Sequence, residues 1–423
     1  MRIDRIQVKG FRCFENSEFQ FNPSFNLIIG NNQAGKTSLL EAVSVAIGAW
    51  LQGIRETDQR NLRQEDVQLR PVFHEKSGRF LSFEDAQITE VSASGIVCDQ
   101  SISWSRDVKG RKGRTTSANA KKIITLATDC SAKARAGKQI TLPLVSYYGT
   151  GRLWLIPKDM KKEKGKRKQT ELSRFEGYKN SLDKRCNPTE FIKWMQHQEW
   201  IAFQEHEQTA IATAVKDTII GCLDSGSKIW YSAKDLTVLV EFDKKKIQTF
   251  ESLSDGFRNM VSMIGDIAIK AAQLNPHLHE NAIKETPGIV LIDELDLHLH
   301  PKWQRQIVQT LKRIFPRIQF ICTTHSPQII GEVHPEELII LENGHPVSTE
   351  TTLGLDSNRI LLEVMDAPIR NTEIQSSIEM ITELIDSESF DQARLQLNLL
   401  KEKLGDNDAE IIRFESHLDF LTD

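Results

Sequence analysis

The sequence predicts an α/β fold, a mixed sheet sandwich carrying a helical insertion and a helical C-terminal tail. Three stretches carry that expectation: "FNLIIG" (25–30), "GIVLI" (288–292) and "QFICTT" (319–324). Each is a short, nearly continuous apolar run, as expected of strands buried on both faces of a parallel sheet. Each also ends on polar residues, at the strand ends where open α/β sheets bind ligands. Helical periodicities lie between these strands, which points to layers of helices around a sheet.

The N-terminal segments "RIDRIQVKGF" and "FRCFENSEFQF" read as strands, followed by "SFNLIIG" and a helix over 36–51. Residues 52–140 are mixed and polar, with strand-like "QITEVSASGIVCD" among basic loops. "ITLPLVSYYGTGRLW" (140–154) begins as a buried strand and ends in a Gly-Thr-Gly turn. From 171 to 225 the pattern is helical, and 235–253 reads as a hairpin turning at Asp-Lys-Lys-Lys. In "ESLSDGFRNMVSMIGDIA" (251–268) a Ser-Asp-Gly turn precedes one apolar helix face: Phe257, Met260, Val261, Ile264, Ile267, Ala268 and Ala271. A helix follows over 301–315 with proline at its first position, then a hairpin over 336–347 and about 70 helical residues. Four regions result: 1–155 and 231–350 as two parts of one α/β head, 156–230 as a basic loop and helical insertion, and 351–423 as a helical region for packing or partner docking.

The chain has 423 residues, 39% apolar and 26% charged, the composition of an ordinary globular protein with room for a large core. No apolar run approaches the roughly 18 residues that span a bilayer, and the N-terminus has no signal-peptide block. Cysteines at 13, 98, 130, 186, 222 and 322 form no CxxC pair, which argues for reduced thiols and a cytoplasmic location. The net charge of −4 hides an asymmetry: residues 105–185 hold 22 Lys and Arg against 7 Asp and Glu, the remainder 32 against 51. The basic clusters at 104–116 and 157–174 suit a solvated loop, a phosphate-backbone surface or a face for an acidic partner. They lack the interleaved aromatics of a base-stacking platform.

"GNNQAGKTS" (30–38) matches GxxxxGK[ST] and sits between a strand and a helix, the context that this motif requires. Backbone N–H groups over Asn31, Asn32, Ala34, Gly35, Lys36, Thr37 and Ser38 are expected to wrap the phosphates of ATP. Lys36 reaches the β- and γ-phosphates in that arrangement, and Thr37 takes a Mg²⁺ position. Asp293 and Glu294 end an apolar strand. Asp293 suits the Mg²⁺ and Glu294 the attacking water. His325, at the end of a third strand, suits a hydrogen bond to the γ-phosphate or the water. His298 and His300 alternate beside Asp296, a spacing that fits a protomer contact better than a metal site. Ser254 and Gly256 open a helix whose N-terminus, with Arg258 one turn in, can offer positive charge to a γ-phosphate. They lie over 200 residues from the glycine-rich loop, so they are expected to face the nucleotide of a second copy.

Together these motifs resemble the ABC-type ATPase heads of the RecF/SMC/OLD branch. The pattern runs through "VKGFRCFE", "GNNQAGKTS", "LSDGFRN", "VLIDELDLHLHP" and "TTHSP", over essentially residues 1–350. "LPLVSYYGTGRLW", "LSDGFRN" and "DELDLHLHPKWQ" are similar more narrowly to single-chain ATPases of bacterial antiphage operons, the PtuA family of the Septu systems. The resemblance implies an ATP sandwich between two heads. Lys36, Thr37, Asp293, Glu294 and His325 act from one head, and Ser254, Gly256 and Arg258 from the other. It also implies that His300 is the D-loop residue and that Arg12 contacts nucleotide. Two departures stand out: LSDGF replaces LSGGQ, and no glutamine stands in "YYGTGR", where the Q-loop is expected.

The expected function is an ATPase that assembles around nucleotide and controls a separate nuclease, of HNH type, in antiphage defence. No TOPRIM-like acidic cluster or HNH-like set follows residue 350. The alternative is a RecF-like DNA-binding ATPase of repair, in which the basic segment grips duplex. A transporter subunit is disfavoured by the missing LSGGQ and Q-loop glutamine.

Overall fold

Six strands form the central sheet, in the order His345–Val347, Leu338–Glu342, Phe25–Gly30, Ile318–Thr323, Gly288–Ile292 and Leu144–Tyr148. All neighbours are parallel except the edge hairpin formed by the first two. Residues 288–292 and 318–323 are buried throughout, as their unbroken apolar sequences require. The register pairs Ile292 with Cys322, and Cys322 with Leu27. The polar C-terminal ends of the three central strands therefore emerge along one edge. The computed structural model describes residues 1–55, 57, 59–74, 80–153, 173–184, 188–223, 227–242 and 246–422.

A second sheet is antiparallel, in the order Phe14–Gln20, Arg2–Phe11, Thr89–Val97 and Gln100–Val108. Thr89–Val97 alternates between buried and half-buried residues, the mark of a strand with one covered face. The helix Lys36–Gln52 touches strands of both sheets, and its residues 39–51 are all buried. This explains a helix that is apolar all round. The helices Pro188–Glu205 and Ala210–Ile220 pack on the long helix Asp255–Leu274. A three-stranded sheet, Lys228–Ser232, Thr237–Phe242 and Lys246–Thr249, precedes that helix.

Two features go beyond the expected mixed, polar stretch with basic loops over 52–140. Lys121–Arg135 is a helix, with Ile123, Ala127, Cys130 and Ala134 buried at helical spacing. The basic cluster at 104–116 begins inside a strand. Its Arg106 is fully buried and donates to the carbonyls of Val45 at 3.0 Å and Arg60 at 2.5 Å. Arg106 thus ties the first helix to the antiparallel sheet instead of offering charge to solvent. Most of the second cluster, residues 157–172, lies outside the described residues, as do Trp154, Cys186 and the expected turn over 243–245.

The chain divides into two compact units, Met1–Leu355 and Asp356–Asp423. In the second, the helices Thr372–Asp386, Phe390–Leu404 and Ala409–Thr422 share a core of Ile381, Ile385, Leu397, Leu400, Phe414 and Leu418. Asn371 caps the first of these helices by accepting from the Glu373 N–H. Gly405, at φ 84°, ends the second. Among the described residues no helix is long and apolar enough to cross a membrane.

Candidate nucleotide-binding site

The strand Phe25–Gly30 delivers the chain into the loop 31–35, and the helix begins at Lys36. Gly35 has φ 102°, and a Cβ there would lie 2.6 Å from Cys13 Sγ. Only glycine fits that turn. The Lys36 ammonium donates to the carbonyls of Gly30 at 2.7 Å and Asn31 at 3.1 Å. Burial lowers its pKa below the ordinary lysine range, while Asp293 and Glu294 nearby oppose that shift. Asn31 and Asn32 are exposed, and Ala34 and Ser38 are half-buried.

The acid pair is brought to this loop by the sheet. Asp293 is buried, and Thr37 Oγ1 donates to its two carboxylate oxygens at 3.0 and 3.2 Å. Thr323 Oγ1 also donates to Asp293, at 2.7 Å, and accepts the Glu294 N–H at 2.8 Å. The two neighbouring strands thereby fix both acids. Glu294 has φ 53°, a left-handed backbone that a non-glycine residue adopts only when its surroundings enforce it. Thr37 and Asp293 offer a hydroxyl and a carboxylate in contact, hard oxygen donors of the kind Mg²⁺ takes, so these residues fit that ion.

At the third strand end, Thr324 Oγ1 donates to Asp296 at 2.5 Å and the His325 N–H reaches the same oxygen at 3.3 Å. The His325 side chain is exposed beside this turn. Asp296, which motif reasoning passed over, is what holds it. His300 is the N-cap of the helix Pro301–Ile314, with Nδ1 accepting the Lys302 N–H at 3.3 Å.

Ser254 is exposed and stands at the N-cap of Asp255–Leu274, and its hydroxyl does not cap the helix. Gly256 is buried against its own chain: a Cβ there would lie 1.9 Å from the His298 carbonyl oxygen. Arg258 pairs with Asp255 one turn back. Phe257 meets the rings of Phe242 at 5.3 Å and Trp303 at 6.2 Å, which accounts for an aromatic residue where the LSGGQ pattern has glutamine.

Arg12 donates to Asp66 at 2.9 and 3.0 Å and is mostly covered. It belongs to a buried network around Glu41 of the first helix, which Arg60 meets at 2.8 Å, Tyr147 at 3.3 Å and Lys184 also contacts. Burial alone would push the Glu41 carboxyl up, but Lys184 and Arg60 together hold it below its ordinary value.

Arg152 was invisible to motif reasoning. It is buried, and its guanidinium donates to the carbonyls of Asp293 at 2.6 Å, Glu294 at 2.6 Å and Gly149 at 3.0 Å. Its Nε–H donates to Asn259 Oδ1 at 2.9 Å. It stands in "YYGTGR", the segment where the Q-loop is expected. The structure thus brings together Lys36, Thr37, Asp293 and Glu294, and orders His325 at the same sheet edge. Ser254 and Arg258 make no contact with the glycine-rich loop among those described.

A protein-family profile described as AAA domain matches residues 5–224, and a second AAA-domain profile matches 155–331. The "Retron Vc95 probable ATPase" of Vibrio cholerae is 26% identical, over 81% of this chain and 73% of its own length. The "Retron Ec83 probable ATPase" of Escherichia coli is 30% identical, over 48% of this chain and 38% of its own. The Septu protein PtuA of Bacillus thuringiensis is 24% identical, over 80% of this chain and 75% of its own.

Proposed function

The chain belongs to the AAA-domain family and is an ABC-type P-loop ATPase of the RecF/SMC/OLD branch, and from that premise we propose what its ATPase serves. Two or more copies close around ATP in the cytoplasm and control a separate nuclease of antiphage defence, of HNH type. The observation that carries the site reading is the Thr37–Asp293–Thr323–Glu294 chain of hydrogen bonds, which joins the glycine-rich loop to the acid pair. The named relatives from retron and Septu systems support the defence setting.

Within one copy, Lys36 and the loop N–H groups hold the phosphates, and Thr37 with Asp293 holds Mg²⁺. Bound there, that ion would supply positive charge to the phosphates. Glu294 orients the attacking water and accepts its proton, while His325 faces the γ-phosphate. Ser254, Gly256 and Arg258 close on the nucleotide of the second copy, with His300 at the contact between copies. Arg258 must exchange Asp255 for phosphate to act there.

Co-purification from the native operon, with mass determination in the presence and absence of ATP, tests this reading for wild type and Glu294→Gln. A nuclease recovered in defined stoichiometry that changes with nucleotide supports it. An ATP-dependent dimer that carries DNA alone favours repair instead, with the basic segment over 105–185 as the grip.

A further inference from the structure

The backbone of Asp293 and Glu294 is tied at every polar group. The Asp293 N–H donates to the Tyr148 carbonyl at 2.8 Å and the Glu294 N–H to Thr323. Both carbonyls accept from Arg152. The Nε–H of that guanidinium goes to Asn259 of the long helix Asp255–Leu274, one turn past Gly256. Asn259 Nδ2 in turn donates to the Leu297 carbonyl at 3.2 Å. Gly256 lies directly on the His298 carbonyl. The first turns of this helix therefore meet the segment 293–298 through one direct hydrogen bond, Asn259 to Leu297, through the Asn259–Arg152 relay, and through the close packing of Gly256 on His298. Arg152, Asn259 and Asp293 are buried, and a buried charged donor released from its acceptors is costly. A shift of the helix N-terminus therefore bears on the backbone of this segment.

We propose that Arg152 is a positioning residue. Through Asn259, it makes the backbone of Glu294 follow the signature helix of the same chain. This rests on the proposed roles of Glu294 and of the helix N-terminus, and it adds a direction of influence. When the helix N-terminus of one copy engages the nucleotide of its partner, the displacement passes through Asn259 and Arg152 to that copy's own Glu294. Hydrolysis at the paired sites is then cooperative. Glu294, left-handed at φ 53° although it is not glycine, is the residue on which the helix acts. Coupling of this kind needs a physical element that both sites bias, and the Arg152 fork supplies one.

The test uses the full chain and reads ATP hydrolysis against ATP concentration, with ATP binding measured separately by equilibrium dialysis. Wild type gives a Hill coefficient above one. Asn259→Ala is expected to lower kcat about tenfold, to leave the ATP dissociation constant within about twofold, and to bring the Hill coefficient to one. Asn259→Asp keeps an acceptor for Arg152 and restores most of the cooperativity, which a loss of folding would not do. Arg152→Lys keeps the charge but cannot span both carbonyls and Asn259, and behaves like Asn259→Ala. A wild-type Hill coefficient of one overturns the proposal, and so does an Asn259→Ala protein as cooperative as wild type. Glu294→Gln separates the two layers. If it hydrolyses ATP as wild type does, the site reading itself fails. If it is inactive while Asn259→Ala changes nothing, only the coupling fails.

Discussion

Thr37 Oγ1 lies 3.0 Å from an Asp293 carboxylate oxygen, a contact between residues 256 positions apart that closes the glycine-rich loop onto the acid pair. The hydroxyl and the carboxylate share one small volume, so removing either leaves a single donor for the ion. Thr37→Ala and Asp293→Asn are each expected to raise the Mg²⁺ concentration for half-maximal hydrolysis by about tenfold or more. Titrating Mg²⁺ at fixed ATP checks this. A substitution that lowers the rate equally at all Mg²⁺ concentrations contradicts the assignment.

Gly256 meets the His298 carbonyl so closely that no side chain fits without moving one of the two backbones. Gly256→Ala is therefore expected to cost about 1–3 kcal/mol of stability by overpacking. Chemical denaturation measures it. Asp255→Gly, at an exposed position, should cost far less while releasing Arg258 from its ion pair.

Glu41 and Asp66 both sit below their ordinary carboxyl values. For each, burial acts upward and is outweighed, by Lys184 and Arg60 for Glu41, and by Arg60, the Arg63 backbone N–H and Arg12 for Asp66. A folded pKa below the unfolded one stabilises fully above the unfolded value and loses that stabilisation as pH falls through the folded one. Wild type should thus weaken on acidification below about pH 4.5, while Glu41→Gln shows less of that slope. At neutral pH the same substitution leaves Arg60 and Lys184 short of their buried counter-charge, at about 3–5 kcal/mol. Unfolding followed across pH for both proteins decides it.

Leu397 and Phe414 are almost fully buried in the core of the C-terminal helices. Phe414→Ala is expected to remove about 3–5 kcal/mol from that unit by loss of transfer energy and by the cavity left behind. A separate, lowered thermal transition, with ATP binding unchanged, is the expected result. Loss of ATP binding in the same variant would show that the unit does more than fold by itself.

How far the sequence reached depends on the kind of signal each residue leaves. Lys36, Thr37, Asp293 and His325 end or follow apolar strands at motif spacing, and the sheet register turns that spacing into proximity. The helix over 121–135 had a legible pattern in Ile123, Ala127, Cys130 and Ala134, but lysines and short polar residues around it masked the stripe. Arg106 and Arg152 were illegible for another reason. Both spend most of their donors on backbone carbonyls, which every residue has, and their side-chain partners, Asn61 and Asn259, are neutral amides that no charge pattern picks out. Phe257 reads as a flaw in a signature until Phe242 and Trp303 are seen around it.

The strand Ile318–Thr323 lies between the strands Phe25–Gly30 and Gly288–Ile292, although it is made last of the three. During synthesis the glycine-rich loop therefore leaves the ribosome long before its acidic counterpart can be seated beside it. At about 5–20 residues per second the interval is on the order of 15–60 s. Throughout that time the strand Phe25–Gly30 waits for both of its sheet neighbours, with unpaired edges open to other chains. An interior strand supplied late makes the nascent chain a natural client for chaperones. It also means that a translation product truncated before residue 293 carries a phosphate loop without the acid pair.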